Sequence, residues 1–370
     1  MTKKKLLPQY LKKYYNSEMN KSSKITVCVP TYNRFKDLEN LIVSFLKQDH
    51  ENSELLILDD LGSDKIGEVA KRWMKKSKKI LYHKNNKNLG FSNNMRQAFS
   101  LASGDIIVFM GDDDIFINNN ALQLFENAFQ DKNVGAAKAS QILFRNGKVN
   151  QAFPLKADRG ELIYYEKGPD TFENIWFESI SVSGLAFRNI REIRKLVNSS
   201  ITLYPQVELM GYVCLQYKSA EINKHVIGVQ SHSGQLNCTN YIVDGVKTNI
   251  LEDWFNVYDR ISKYSEIHKW SFISKRRFIE KFTLFCLYLL PYNSLTSGRV
   301  ETAKFIYEML KDNANILISP FFYISSFVSL FLPKTLIIMS TEVLKKNRLK
   351  KQLSSDRIVK FNALLGKYYN

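Results

Sequence analysis

Residues 104–114 read Gly104-Asp105-Ile106-Ile107-Val108-Phe109-Met110-Gly111-Asp112-Asp113-Asp114. The apolar run 106–110 suits a strand in the middle of a parallel sheet, where both faces are covered. It stops abruptly at three adjacent carboxylates, which repel one another and so are not there for stability. Such a cluster makes sense if a cation or cationic ligand sits at the strand end. In open α/β sheets the carboxyl ends of the strands are where ligands bind, and hard cations such as Mg²⁺ and Mn²⁺ favour carboxylate oxygens.

Working outward, the same arrangement recurs. Ile25-Thr26-Val27-Cys28-Val29 is a second buried-strand run, halted by Pro30-Thr31-Tyr32-Asn33-Arg34, after which Leu38, Leu41, Ile42, Phe45 and Leu46 fall at helical spacing. Leu55–Leu58 is closed by Asp59-Asp60-Leu61-Gly62-Ser63-Asp64, with Ser63 or Asp64 suited to cap a helix. A short strand at 80–83 precedes a turn at Asn88-Leu89-Gly90. Residues 92–103 read as a helix that Gly104 would end as a C-cap glycine. Strands alternating with helices predict right-handed βαβ units in a parallel sheet. Polar groups follow the first, second and fourth strands, so one sheet edge collects them.

Val29-Pro-Thr-Tyr-Asn-Arg34, Leu58-Asp-Asp-Leu-Gly-Ser-Asp64, Asn88-Leu-Gly90 and Ala102-Ser-Gly-Asp with Gly111-Asp-Asp-Asp114, in that order and spacing, resemble the family 2 glycosyltransferases. The resemblance is specific over about residues 24–125 and weak to about 235. It implies the GT-A fold: a Rossmann-like, mostly parallel sheet flanked by helices. It also implies an inverting enzyme that moves a sugar from a nucleotide-diphosphate donor, a UDP-sugar first among them, to a hydroxyl of a glycan that can be lipid-linked. By that likeness Pro30, Thr31, Tyr32, Asn33, Arg34, Asp60, Gly90, Arg96 and Asp112 are donor-nucleotide residues. Asp113, alone or together with Asp114, becomes the metal ligand, with Mn²⁺ or Mg²⁺ as cofactor, and His232 is a candidate third metal ligand or diphosphate contact. Met110 stands where the family's Asp-x-Asp-Asp pattern has its first acid, and Asp114 adds one afterwards. The family's Glu-Asp pair, which supplies the catalytic base, is missing. Gln206 takes the usual Asp position, and Glu208 is the nearest carboxylate and the candidate base. A surface arginine is the competing reading for Arg96, an ion-paired helix residue for Glu208, and a loop residue without function for His232.

The remaining sequence sets the domain plan. Residues 1–23 form a basic segment without the pattern of a signal peptide. Residues 24–248 form the catalytic domain, with a nucleotide-sugar half (24–125) and an acceptor half (126–248). Residues 249–370 form an all-α module in which Trp254, Phe255 and Tyr258 open a helix and Phe278 to Leu289 continue another. Asn146-Gly147 predicts a hairpin turn. Cys28, Cys214, Cys238 and Cys286 form no zinc pattern and read as reduced thiols of a cytoplasmic protein.

Asn313–Pro333 is charge-free and rich in Phe, Ile and Leu, and a basic run follows it. With a net charge of +17, this predicts peripheral attachment to an anionic membrane surface at its inner face, ahead of a span or a buried helix. Nucleic acid is not an expected partner, because no nucleic-acid motif accompanies the charge and the acidic strand end would repel phosphate. A nucleotidyltransferase making nucleotide sugars is an alternative, although the first strand lacks that class's glycine-rich, lysine-containing loop. An inactive nucleotide-binding scaffold is the other. The oligomeric state is not legible.

Overall fold

The structure is a computed structural model. It describes residues 22–153 except 146, most of 161–230, and the segments 241–243, 246–248, 250–264, 290–312 in part, 319–339 and 355–369. His232, Cys238, Cys286 and the helix expected over 278–289 lie outside the described residues.

The first half follows the apolar runs. β1 (Ile25–Thr31), α1 (Phe35–Leu46), β2 (Ser53–Asp59), α2 (Asp64–Met74), β3 (Ile80–Lys84), α3 (Gly90–Leu101) and β4 (Ile106–Phe109) alternate as expected. β1 pairs in parallel with both β2 and β4, and β2 in parallel with β3. Ile25, Val27 and Val29 pack on one face with Leu38, Leu41 and Phe45. Cys28 points to the other face, with Phe99, Phe109 and Trp176. A strand covered on both sides is mostly apolar, and the buried hydroxyl within this one, that of Thr26, donates to Glu54 Oε1 at 2.7 Å.

One expectation fails locally. α3 begins at Gly90 and ends at Leu101, and Gly104 does not cap it. A Cβ on Gly104 would lie 2.5 Å from the Thr26 nitrogen, so glycine is required there by the close approach of β1.

The second half is mixed. β5 (Ile115–Phe116), α4 (Ala121–Ala128), β6 (Val134–Arg145), β7 (Lys148–Phe153), β8 (Leu162–Tyr165), β9 (Leu185–Arg188), α5 (Arg191–Val197), α6 (Pro205–Gln216) and β10 (Lys218–Gln230) extend the sheet to the order β3-β2-β1-β4-β9-β6-β10-β5. β9 runs antiparallel between β4 and β6. It enters through Gly184 at φ +72°, where an added Cβ would meet Ile227 at 2.8 Å. β6 and β7 form the expected hairpin, with Gly147 at φ +68°.

β11 (Tyr241–Val243) and β12 (Val246–Thr248) make a small hairpin. The helices α7 (Ile250–Tyr264), α8 (Arg299–Asp312), α9 (Pro320–Phe331) and α10 (Ser355–Tyr369) follow. They pack back onto the sheet. Val257, Tyr258 and Ile261 of α7, Phe305 and Ile306 of α8 and Phe322 of α9 join the core that holds Phe109 and Phe187. Leu365 of α10 is buried against Ile115, Ile142 and Phe144. No described helix is long and apolar enough to cross a membrane.

Candidate active site

β1 leads to β2 and β3 on one side, while β4 lies on its other side, so the strand order reverses between β1 and β4. The loops leaving two strands at such a point diverge and open a crevice. The β1 loop brings Thr31, Tyr32, Asn33 and Arg34 to it, and the β4 loop brings Asp112, Asp113 and Asp114.

The three acids are all about 4% exposed, but they face different partners. Thr31 Oγ1 donates to Asp112 Oδ2 at 2.7 Å. Arg34 Nη1 donates to Asp113 Oδ2 at 2.7 Å and lies 3.4 Å from Asp112 Oδ1. Burial pushes the Asp112 carboxyl up to about 7, against the pull of Arg34. Asp114 turns the other way. Its Oδ1 accepts from the Gln230 nitrogen at 2.8 Å, and its Oδ2 accepts from Ser183 Oγ. Burial and the Asp113 charge hold Asp114 well above the usual carboxylate range. Asp114 therefore braces the β4 loop against β10 and the start of β9.

The neighbouring loops are sewn together by side chains. Asn33, at φ +62°, accepts from the Ser63 nitrogen at 2.7 Å. Asp60 Oδ1 accepts from Leu89 N (2.7 Å) and Asn85 Nδ2 (2.9 Å), and its Oδ2 accepts from Gly90 N (2.8 Å). The carboxylate meant for the nucleotide base thus binds the start of α3, satisfying backbone donors that a helix N-terminus leaves unpaired. A carboxylate has about four acceptor sites, so roughly one stays open. Pro30 lies within β1, half-buried and in register with Leu58, while the Tyr32 ring is exposed at the mouth.

Two expected residues are elsewhere. Arg96 Nε donates to the Val197 carbonyl and its Nη1 to Asn93 Oδ1, so its guanidinium ties α3 to α5. Glu208 is 1% exposed, accepts from Arg260 Nε and Nη2 at 3.0 Å each, and also from the Tyr212 hydroxyl at 2.7 Å. A carboxylate held on both oxygens by a guanidinium is a poor proton acceptor. It fixes α7 to α6.

The sequence reading passed over Asp59, Ser183 and Lys138. Asp59 accepts from Gly62 N and the Tyr82 hydroxyl, both at 2.7 Å, and shapes the β2 loop. Lys138, 3% exposed, donates to the carbonyls of Ser181 (3.0 Å) and Ser183 (2.8 Å), supporting the segment that braces Asp114. A lysine inside the apolar run 134–144 was the available signal.

Among the described residues, no cluster of three or more His, Cys, Asp or Glu is set to hold a metal. Asp112 and Asp113 still fit one. They already share a cation, the Arg34 guanidinium, and Mg²⁺-type sites commonly use one or two carboxylates and take further ligands from substrate phosphates.

Residues 26–193 match the model described as "Glycosyl transferase family 2". That stretch of the chain is similar to family 2 glycosyltransferases. The GalNAc(5)-diNAcBac-PP-undecaprenol beta-1,3-glucosyltransferase of Campylobacter jejuni is 33% identical over 106 residues, 28% of this chain and 34% of that protein. Abequosyltransferase RfbV of Salmonella typhimurium is 37% identical over 93 residues, 24% of this chain and 28% of that one. The chain thus spans about a third of the length of these curated relatives. The structure of S. aureus TarS 1–349 in complex with UDP is similar in fold, with a TM-score of 0.51 at 16% identity, covering 93% of this chain and 91% of that one.

Proposed function

We propose that this protein is an inverting, metal-dependent glycosyltransferase that moves a sugar from a nucleotide-diphosphate donor to a glycan hydroxyl in surface-polysaccharide synthesis. The observation that supports this most is the placement of buried Asp112 and Asp113 side by side against the Arg34 guanidinium, in the crevice between β1 and β4. Adjacent carboxylates at a strand end suit a hard cation, and one arriving with a diphosphate would take its remaining ligands from the phosphates.

The donor is read as a UDP-sugar. Tyr32 offers an exposed aromatic face for its base, and Asp60 holds Gly90 and the N-terminus of α3 beside it. Thr31 orients Asp112 by donating to one of its oxygens, leaving the other for the ribose or the metal. Asp113 and Asp112 would hold Mn²⁺ or Mg²⁺, which neutralises charge developing on the departing diphosphate. Arg34, released from the acids, stands at the mouth where it can pair with phosphate oxygens. An acceptor hydroxyl would attack the opposite face of the sugar, giving its proton to a base as the nucleoside diphosphate leaves; Glu208, the candidate on α6, would first have to part from Arg260. The Campylobacter relative is named for an undecaprenol-linked glycan, and an acceptor of that class suits a protein working peripherally at the inner face of a membrane.

The test is release of nucleoside diphosphate from a panel of nucleotide sugars, with and without Mn²⁺. Metal-dependent release from one donor is expected. Formation of nucleotide sugar from sugar phosphate, or nucleotide binding with no turnover on any donor, would overturn the reading.

A further inference from the structure

α9 is built inside out. Phe322, Ser325 and Ser329 lie on its buried side, where Ser329 Oγ donates to the Ser325 carbonyl and Ser294 Oγ to the Ser329 carbonyl, both at 2.6 Å. At about 100° per residue, Tyr323, Ile324, Phe327 and Phe331 fall on the opposite stripe. They are 52–67% exposed, and the Phe327 and Phe331 rings meet at 5.4 Å. A surface helix of a water-soluble protein has the reverse pattern. Pro320–Phe331 contains no charged residue, and the helical turn at 334–339 continues the surface with exposed Leu336, Ile338 and Met339.

Chemistry in the adjoining chain decides the occupant. Lys334, Lys345, Lys346, Arg348, Lys350 and Lys351 follow within a stretch whose one acid is Glu342. A second copy seated on this face would bring the same basic run against itself. An anionic lipid surface satisfies both features, taking the aromatic stripe into its boundary region and the cations among its headgroups. The 12 residues of α9 rise roughly 18 Å, short of the ~30 Å hydrocarbon core, so the helix lies on the bilayer and does not span it.

We propose that α9 and the turn at 334–339 form a membrane-docking face that inserts Ile324, Phe327 and Phe331 into the interface of an anionic bilayer. This names the surface by which the membrane-associated reading above would operate. Its geometric basis is independent of donor chemistry.

The test uses the full chain, without metal or donor, in co-sedimentation with vesicles of phosphatidylglycerol and phosphatidylcholine or of phosphatidylcholine alone. Wild type is expected to pellet with the anionic vesicles, less so at high salt, and not with the neutral ones. The exposed pair Phe327→Ser/Phe331→Ser should keep its thermal melt and lose at least about tenfold in partitioning. Lys345→Gln/Lys346→Gln/Lys350→Gln/Lys351→Gln should lose binding to a similar degree and lose its salt dependence. Wild type that stays in the supernatant, or a phenylalanine variant that binds like wild type, would overturn the proposal. So would a wild-type dimer in light scattering that the phenylalanine variant turns into monomer, because the face would then belong to a second copy. Failure of every donor to turn over would leave the vesicle result unchanged, so the two readings fail separately.

Discussion

At the crevice between β1 and β4, Asp112 and Asp113 share the half-exposed guanidinium of Arg34, whereas at the junction of α6 and α7 Glu208 has one guanidinium to itself and a tyrosine hydroxyl besides. Both places bury carboxylates, but at the first two acids meet the same guanidinium. The difference separates a binding site from a rivet. Where compensation is internal and bidentate, the charge holds elements together. Where it is shared and reaches solvent, another cation can compete for it.

Breaking the rivet should have the largest effect. Glu208→Ala leaves Arg260 without its partner, and removing one member of a buried pair costs about 3–5 kcal/mol. Chemical denaturation should show that loss. A change of less than about 1 kcal/mol would mean that the pair contributes like an exposed one.

At the crevice the outcome should invert. Asp113→Asn is expected to lower transfer at least about a thousandfold, about 4 kcal/mol in the barrier. Its melting temperature should stay level, because the acid serves a ligand and not packing. Steady-state rates beside thermal melts check this, and a destabilised but active variant would place Asp113 with Glu208.

The same contrast shows what could be read in the sequence. β1, β2 and β4 were legible because strands buried on both faces are continuous apolar runs, and their polar ends mark one sheet edge. Thr31, Arg34, Asp112 and Asp113 could be named as candidates because each lies at such an end. The hold on Glu208 was not legible because Arg260, 52 residues on and in another helix, is a partner that no local pattern reveals. The partners of Asp114 were hidden for a similar reason. Three adjacent acids look equivalent in a sequence, and only Ser183 and Gln230, brought in by β9 and β10, set one apart. Gly104 looked like a helix cap because its real constraint, the backbone of β1, is 78 residues away in sequence. The apolar content of 320–331 was visible, but its inversion was not, since the buried side is chosen by packing.

A third prediction concerns the seam between the sheet and α10. His225 of β10 is buried beside Phe361, with ring centroids 6.1 Å apart. Burial, helped by the charge of Arg357, brings its pKa down to about 4. The unfolded chain takes up this proton near the ordinary histidine value of about 6.5. Below that pH it holds more protons than the folded chain, so stability falls as pH drops toward 4 and then levels. The loss should reach about 3 kcal/mol at most, read as the difference between wild type and His225→Gln in denaturation at pH 7 and pH 4.5. Parallel pH profiles would mean that the ring is solvated.

The smallest effect is expected at the shared cation. Arg34→Gln removes the competitor from Asp112 and Asp113, so Mn²⁺ should bind about tenfold more tightly without donor, about 1.4 kcal/mol. Calorimetric titration reads this directly, and weaker binding in the variant would show that Arg34 supports the metal and does not compete with it.

The most direct measurement is Mn²⁺ binding followed by electron paramagnetic resonance, with and without UDP, in wild type, Asp113→Asn and Asp114→Asn. The account predicts that UDP strengthens Mn²⁺ binding in wild type, that Asp113→Asn abolishes the UDP-dependent signal, and that Asp114→Asn keeps it while melting at a lower temperature. A signal lost in Asp114→Asn and retained in Asp113→Asn would contradict the division of the acids on which the account rests.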